Sequence, residues 1–177
     1  MHGLTLNTLA RDDLDIPGAD PWHANPGDPA LTVMTDFRER TSVTIGETAT
    51  IDAALEHMKH TGVRCAFATD DARRLLVGMI TAYDITSEKP MRHIRSVDGR
   101  REDVLVRDIM QKTADWRVAD VRQIEQVTVA SVARLFEETR LTHIAVMEKG
   151  ESGALRLRGL LSAARVKRLL ASGQDQR

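Results

Sequence analysis

The residues best placed to do chemistry are Thr81 and Asp84, in the run Gly78-Met79-Ile80-Thr81-Ala82-Tyr83-Asp84-Ile85. An apolar strand there hands over to a helix, where unpaired backbone N–H groups attract negative charge. The Thr81 hydroxyl can donate or accept, and Asp84, one turn on, offers two acceptor oxygens. The same spacing also describes a plain helix cap. A second run, Gly159-Leu160-Leu161-Ser162-Ala163-Ala164-Arg165-Val166, puts an arginine where the first has its acid. Arginine cannot accept a hydrogen bond, although its fork suits phosphate oxygens. His57 and His60 are three apart but have no third ligand and read as a solvated helix face. Cys65 lies in an apolar strand without a partnered base and reads as a small core residue. His143 opens a similar strand and reads as strand or cleft lining. No Walker loop, zinc-ligand spacing or nucleophile–base pairing is present, so an enzyme is not expected.

The elements that must position these residues repeat. Residues Thr50–Thr61 lie without a gap over Thr128–Thr139. Ile51, Ala54, Leu55 and Met58 mark one helix face in the first copy, and Val129, Val132, Ala133 and Phe136 mark it in the second. A threonine stands at each N-cap position. Each helix is followed by a short apolar run, Cys65–Ala68 or His143–Val146, then turn residues (69–74 or 148–153). A second run, Leu75–Ile80 or Leu155–Leu161, leads into a helix near Thr81–Ser87 or Ser162–Ala171. Short strands are expected at Val43-Thr44-Ile45 and Val121-Arg122-Gln123-Ile124. The unit is strand-helix-strand-strand-helix, twice.

The flanks differ in composition. Residues 1–30 hold four of the five prolines and five aspartates against one arginine. They read as an extended or flexible arm, with Leu4, Leu6, Leu9, Leu14, Ile16 and Trp22 available for docking on the body or a partner chain. Residues 91–103, with Arg92, Arg95, Arg100, Arg101 and the Asp98-Gly99 turn signal, read as a basic linker. Residues 173–177 are a tail.

At these residues the chain resembles the cystathionine-β-synthase (CBS) family. The signs are the two Gly-hydrophobic-hydrophobic-Thr/Ser runs at matching offsets and the lead-in Val106-Arg107-Asp108-Ile109-Met110, with Thr32-Val33-Met34 as a weaker counterpart. The resemblance implies an α/β (α+β) CBS pair, with repeat 1 over 31–90, repeat 2 over 104–172 and a pseudo-two-fold axis between them. It also implies a cleft for AMP, ADP, ATP or S-adenosylmethionine. Thr81 would meet phosphate and Asp84 the ribose diol, with Val43, Thr44, Ile45, Cys65, Ala66 and Phe67 around adenine. A doubtful second cleft would hold Ser162, Arg165, His143, Ile144 and Ala145. Many relatives carry proline in the middle strand; here Phe67 and Ala145 stand instead, and Phe67 is bulky enough to fill part of the first cleft. The family resemblance further implies a homodimer, with the Met58 and Phe136 helix faces as candidate surfaces.

Composition narrows the remaining classes. The 177 residues are 42% apolar, enough for a core, and the formal net charge is −1, against a general nucleic-acid binder. No run is long enough to span a bilayer, and a single cysteine fits a reducing cytoplasm. The expected function is an adenosine-nucleotide sensor. A ligand-free dimeric scaffold for an unknown protein partner is the alternative, and a nucleic-acid-binding pair using the linker arginines is a weaker one.

Overall fold

The fold is described from a computed structural model, over residues 20–72, 75–150 and 153–174. Of the expected arm, the first nineteen residues lie outside this description, and so do Arg73-Arg74, Glu151-Ser152 and the last three residues of the tail.

Repeat 1 runs β2 (Thr44–Gly46), α1 (Ile51–Thr61), β3 (Cys65–Thr69), β4 (Leu76–Thr81) and α2 (Ala82–Thr86). Thr50 caps α1 by accepting a hydrogen bond from the Ala53 N–H at 3.2 Å. Gly62, at φ +69°, ends it in the left-handed region open to glycine. Ile51, Ala54 and Met58 are buried from this helix, matching the expected face. In repeat 2, α6 (Val129–Thr139) is likewise capped by Thr128 and buries Val129, Val132 and Phe136. It is followed by β7 (His143–Lys149), β8 (Leu155–Ser162) and α7 (Ala163–Gln174). Both helix faces are therefore turned into the chain's own cores, which corrects the expectation that Met58 and Phe136 lie on an outer dimer surface.

The short strand of repeat 2 is not where it was expected. Val121–Ile124 forms α5, one helical turn, and the strand is β6 (Val118–Asp120) just before it. The offset of the long helices does not extend back to the strands, because an extra turn separates β6 from α6. The basic stretch also differs from a plain linker. Lys89–Val97 is a helix, α3, with Pro90 buried in its first turn, and Arg101–Asp103 is a 3-10 turn. Asp98 sits at φ +52°, so the turn signal is realised at the helix end.

The two repeats exchange strands. β1 (Thr35–Asp36) opens repeat 1 yet pairs antiparallel with β8 of repeat 2, giving the sheet order β1-β8-β7-β6. β5 (Gln111–Lys112) pairs antiparallel with β4, giving β2-β3-β4-β5. A short helical segment leads into each: a 3-10 turn at Ala30–Val33 and α4 (Val106–Ile109). This explains Gly159 and Gly78. A Cβ at Gly159 would lie 2.7 Å from both the Met34 sulfur and the Thr35 carbonyl oxygen; at Gly78 it would meet the Met110 sulfur at 2.5 Å and the Gln111 carbonyl at 2.8 Å. The glycines let the exchanged strands approach, and the reciprocity is that of a pseudo-two-fold axis.

Each repeat has its own apolar core, and a third cluster, Phe67, Met79 and Leu160 with Phe37, Cys65, Leu76, Trp116 and Leu157, fills the layer between them. The described part of the arm docks on repeat 2: Ala24 is 1% exposed and its N–H donates to the Leu169 carbonyl at 2.9 Å. Trp22, expected to contribute burial, is instead 61% exposed. Among the described residues no helix is long and apolar enough to cross a membrane.

Candidate functional site

Side chains alternate along β3 and β7, so the expected site residues divide between two faces. Ala66 and Ala68 enter the core of repeat 1, whereas Cys65 and Phe67 face the layer between repeats. In β7, Ile144 and Val146 enter the core of repeat 2 and His143 faces the other way. A cavity of about 450 Å³ lies where these inward-facing positions meet. It collects Val43, Cys65 and Phe67 from the first expected cleft and His143 and Ser162 from the second, so the two lists share one space. Thr44, Ile45, Ala66, Thr81, Asp84, Ile144, Ala145 and Arg165 do not line it.

Thr81 and Asp84 spend their polar atoms on each other. The Thr81 hydroxyl accepts from the Asp84 N–H at 3.1 Å and donates to Asp84 Oδ2 at 2.6 Å, while the Thr81 N–H donates to the same oxygen at 2.9 Å. Lys89 Nζ donates to Asp84 Oδ1. This reciprocal capping box leaves Asp84 only 3% exposed. The bland reading of this spacing, a helix cap, is what the geometry realises, and the carboxylate does not face the cavity as expected for ribose.

The remaining cavity walls come from segments outside the two expected clefts. Thr35, Phe37, Arg40 and Thr41 follow the lead-in Thr32-Val33-Met34, and Thr61, Val63 and Arg64 close α1. The lead-in was the available signal, since whatever follows it must cross to the other repeat. The floor is aromatic: Phe67 meets Phe37 edge-on, with ring centroids 5.4 Å apart, and Trp116 lies at 6.1 Å. Phe67 is thus one of the residues that line the cavity. Trp116 is half-buried and donates its indole N–H to the Gln111 carbonyl at 3.1 Å, an anchor for the exchanged strand.

Charge at the site is uneven. Arg40 and Arg64 are exposed where they line the cavity. Burial pushes the Cys65 thiol up to about 12, with the Asp84 charge adding to the effect. Burial also holds the His143 imidazole below its usual 6.5, although Asp84 pulls it upward. Arg165 is fastened elsewhere: Nε donates to the Val33 carbonyl at 3.2 Å and Nη2 to Asp20 Oδ1 at 2.6 Å. Two of the linker arginines are engaged as well, Arg101 with Asp52 at 2.9 Å and Arg100 with Glu102 at 3.2 Å. No metal-binding group of His, Cys, Asp or Glu occurs among the described residues.

Two mixed sheets that exchange edge strands around a shared cleft define a CBS pair. The family model of the CBS domain matches residues 32–90, and the fold of the described residues is similar to that of solved CBS-pair structures. The CBS-pair protein CBSX2 from Arabidopsis thaliana is 24% identical, with 85% of this chain and 98% of that chain covered and a TM-score of 0.51. A structure of CBSX2 in complex with AMP matches at 23% identity, 85% and 100% coverage and a TM-score of 0.52. A CBS-domain-containing protein from Agrobacterium tumefaciens is 17% identical, with 89% and 98% covered and a TM-score of 0.55. No curated protein matches the chain.

Proposed function

We propose that this chain is a non-catalytic regulatory module that binds an adenosine nucleotide between its two repeats. The observation that carries the reading is the cavity of about 450 Å³, within the size range of small-molecule sites. Its walls suit a nucleotide in kind. Val43, Val63, Phe37, Phe67 and Leu160 offer apolar surface to a purine, and Thr35, Thr41, Thr61 and Ser162 offer hydroxyls to a sugar. Arg40 and Arg64 bring positive charge for phosphate. AMP, ADP and ATP fit this charge; S-adenosylmethionine, whose sulfonium is cationic, is disfavoured by it. The AMP complex of CBSX2 supports the ligand class. Thr81 and Asp84 enter this reading as the cap that fixes α2 behind Cys65, not as ligand contacts.

The expected homodimer remains part of the proposal. It rests on an apolar groove of about 500 Å³ between α6 and α7, lined by Ala133, Phe136, Ala163, Val166 and Leu170, with Glu137 and Lys167 among its walls. Here Phe136 serves the groove only by its edge, since it is 7% exposed.

Thermal unfolding with AMP, ADP, ATP and S-adenosylmethionine tests the nucleotide reading. Ligand at a hundred times its dissociation constant adds about 2.7 kcal/mol, or roughly 5–11 °C for a chain of this size. Thr41 is exposed at the cavity wall, so Thr41→Trp fills the space without disturbing a core, and it abolishes the shift. If no nucleotide moves the transition of the wild type, the ligand-free scaffold replaces the sensor. Salt-dependent retention on nucleic acid would favour the third class.

A further inference from the structure

Asp20 bridges two arginines that come from different parts of the fold. It accepts from Arg165 Nη2 at 2.6 Å and Nη1 at 3.4 Å, and it pairs with Arg40 Nη2 at 2.9 Å. Arg165 follows Ser162 by three residues, in the first turn of α7, and Arg40 lies beyond β1; Ser162 and Arg40 both line the inter-repeat cavity. The bridge therefore stands at the cavity's edge. Its parts differ in mobility of attachment. The Arg165 side chain is only 13% exposed, and its Nε bond to the Val33 carbonyl holds the guanidinium whether or not Asp20 is present. Asp20 is 42% exposed and lies four residues before Ala24, where the chain is pinned to repeat 2. The two guanidiniums lower its carboxyl's pKa, Arg165 first by hydrogen bonding.

We propose that Arg40 and Arg165 form a phosphate-binding pair at the edge of the cavity, and that the chain's own Asp20 masks it as a tethered competitor. Two guanidiniums converging on one carboxylate present the forked donors that a phosphoryl group takes from arginine. A terminal phosphate carries more charge and more acceptor oxygens than a carboxylate. The pairs being displaced are partly exposed and individually weak, while their tether supplies a high local concentration of carboxylate. Ligand entry then exchanges Asp20 for phosphate, while Ala24 stays docked. The proposal rests on the nucleotide reading only for the identity of the group that bears the phosphate.

The test is calorimetric titration of the full chain with ATP and, separately, with inorganic tripolyphosphate. Asp20→Asn removes the competitor's charge and is expected to tighten ATP binding about three- to tenfold. Arg40→Gln, at an exposed position, is expected to weaken it in both backgrounds. Equal or weaker ATP binding by Asp20→Asn overturns the mask while leaving the nucleotide site standing. Tripolyphosphate binding that rises in Asp20→Asn, with no nucleotide preferred over it, keeps the masked pair and removes the nucleotide reading. If neither probe binds Asp20→Asn, both fall.

Discussion

His143 shows how the cleft makes an ordinary residue titrate abnormally. Its ring is partly buried beside the Asp84 charge, and burial outweighs that charge, so the folded chain refuses a proton that the unfolded chain takes up near pH 6.5. Between the depressed folded value and 6.5 the unfolded state binds more protons, so stability falls as pH falls through that window and is level above it. The urea midpoint is expected to drop between pH 7.5 and 5.5, and His143→Gln to flatten that slope. An unchanged slope in the variant would show that another group carries the acid sensitivity. At this scale the sequence was legible in part. Cys65, Phe67, His143 and Ser162, which line the cavity, were named for a cleft only through the family resemblance; by residue type and position Cys65 read as a core residue. The capping role of Asp84 was legible in its spacing from Thr81, whereas the fate of Arg165 was not, because it was decided by Asp20, far outside its motif.

The elements are governed by the exchanged strands. Gly159 and Gly78 stand where a strand from the other repeat, with its preceding methionine, crosses the sheet edge. In Gly159→Ala the added methyl collides with the Thr35 carbonyl as well as the Met34 side chain, and backbone cannot swing aside as a side chain can. The expected loss is about 1–3 kcal/mol. Gly46→Ala, where nothing lies within 4 Å, is the control and should be near neutral. Chemical unfolding of the two variants against wild type checks both. The long helices were legible because their caps and apolar faces are local. α5 was not, since four apolar and polar residues can extend or coil equally well, and the parallel pairing of β6 with β7 decided the matter. α3 was hidden by its arginines, which lie on the solvent side while Pro90 and Ile94 face repeat 1.

As a whole molecule the chain is two repeats that cannot be separated at their sequence boundary. Val104, Val106 and Ile109 are buried in the core of repeat 1 although they belong to the start of repeat 2, and Val33 and Met34, from the start of repeat 1, are buried in the core of repeat 2. A fragment of residues 41–103 lacks β5 and α4 and is expected to show no cooperative transition by circular dichroism. A fragment of residues 41–117 restores both and should unfold cooperatively. Equal behaviour of the two fragments would mean that the exchange contributes little to the stability of repeat 1. The same exchange makes the cavity a joint product, with Thr35 and Phe37 delivered to repeat 2 by the strand that opens repeat 1.

From sequence alone came the repeat, its helices and hairpins, the glycine positions and the family they resemble, because these depend on periodicity, capping and turn chemistry within a few residues. The tertiary structure alone decided which strand completes which sheet, that two expected clefts meet in one cavity, and that an arm carboxylate holds two arginines at its edge. Each of these depends on contacts between residues far apart in the chain, and nothing in the local pattern of either partner records the other.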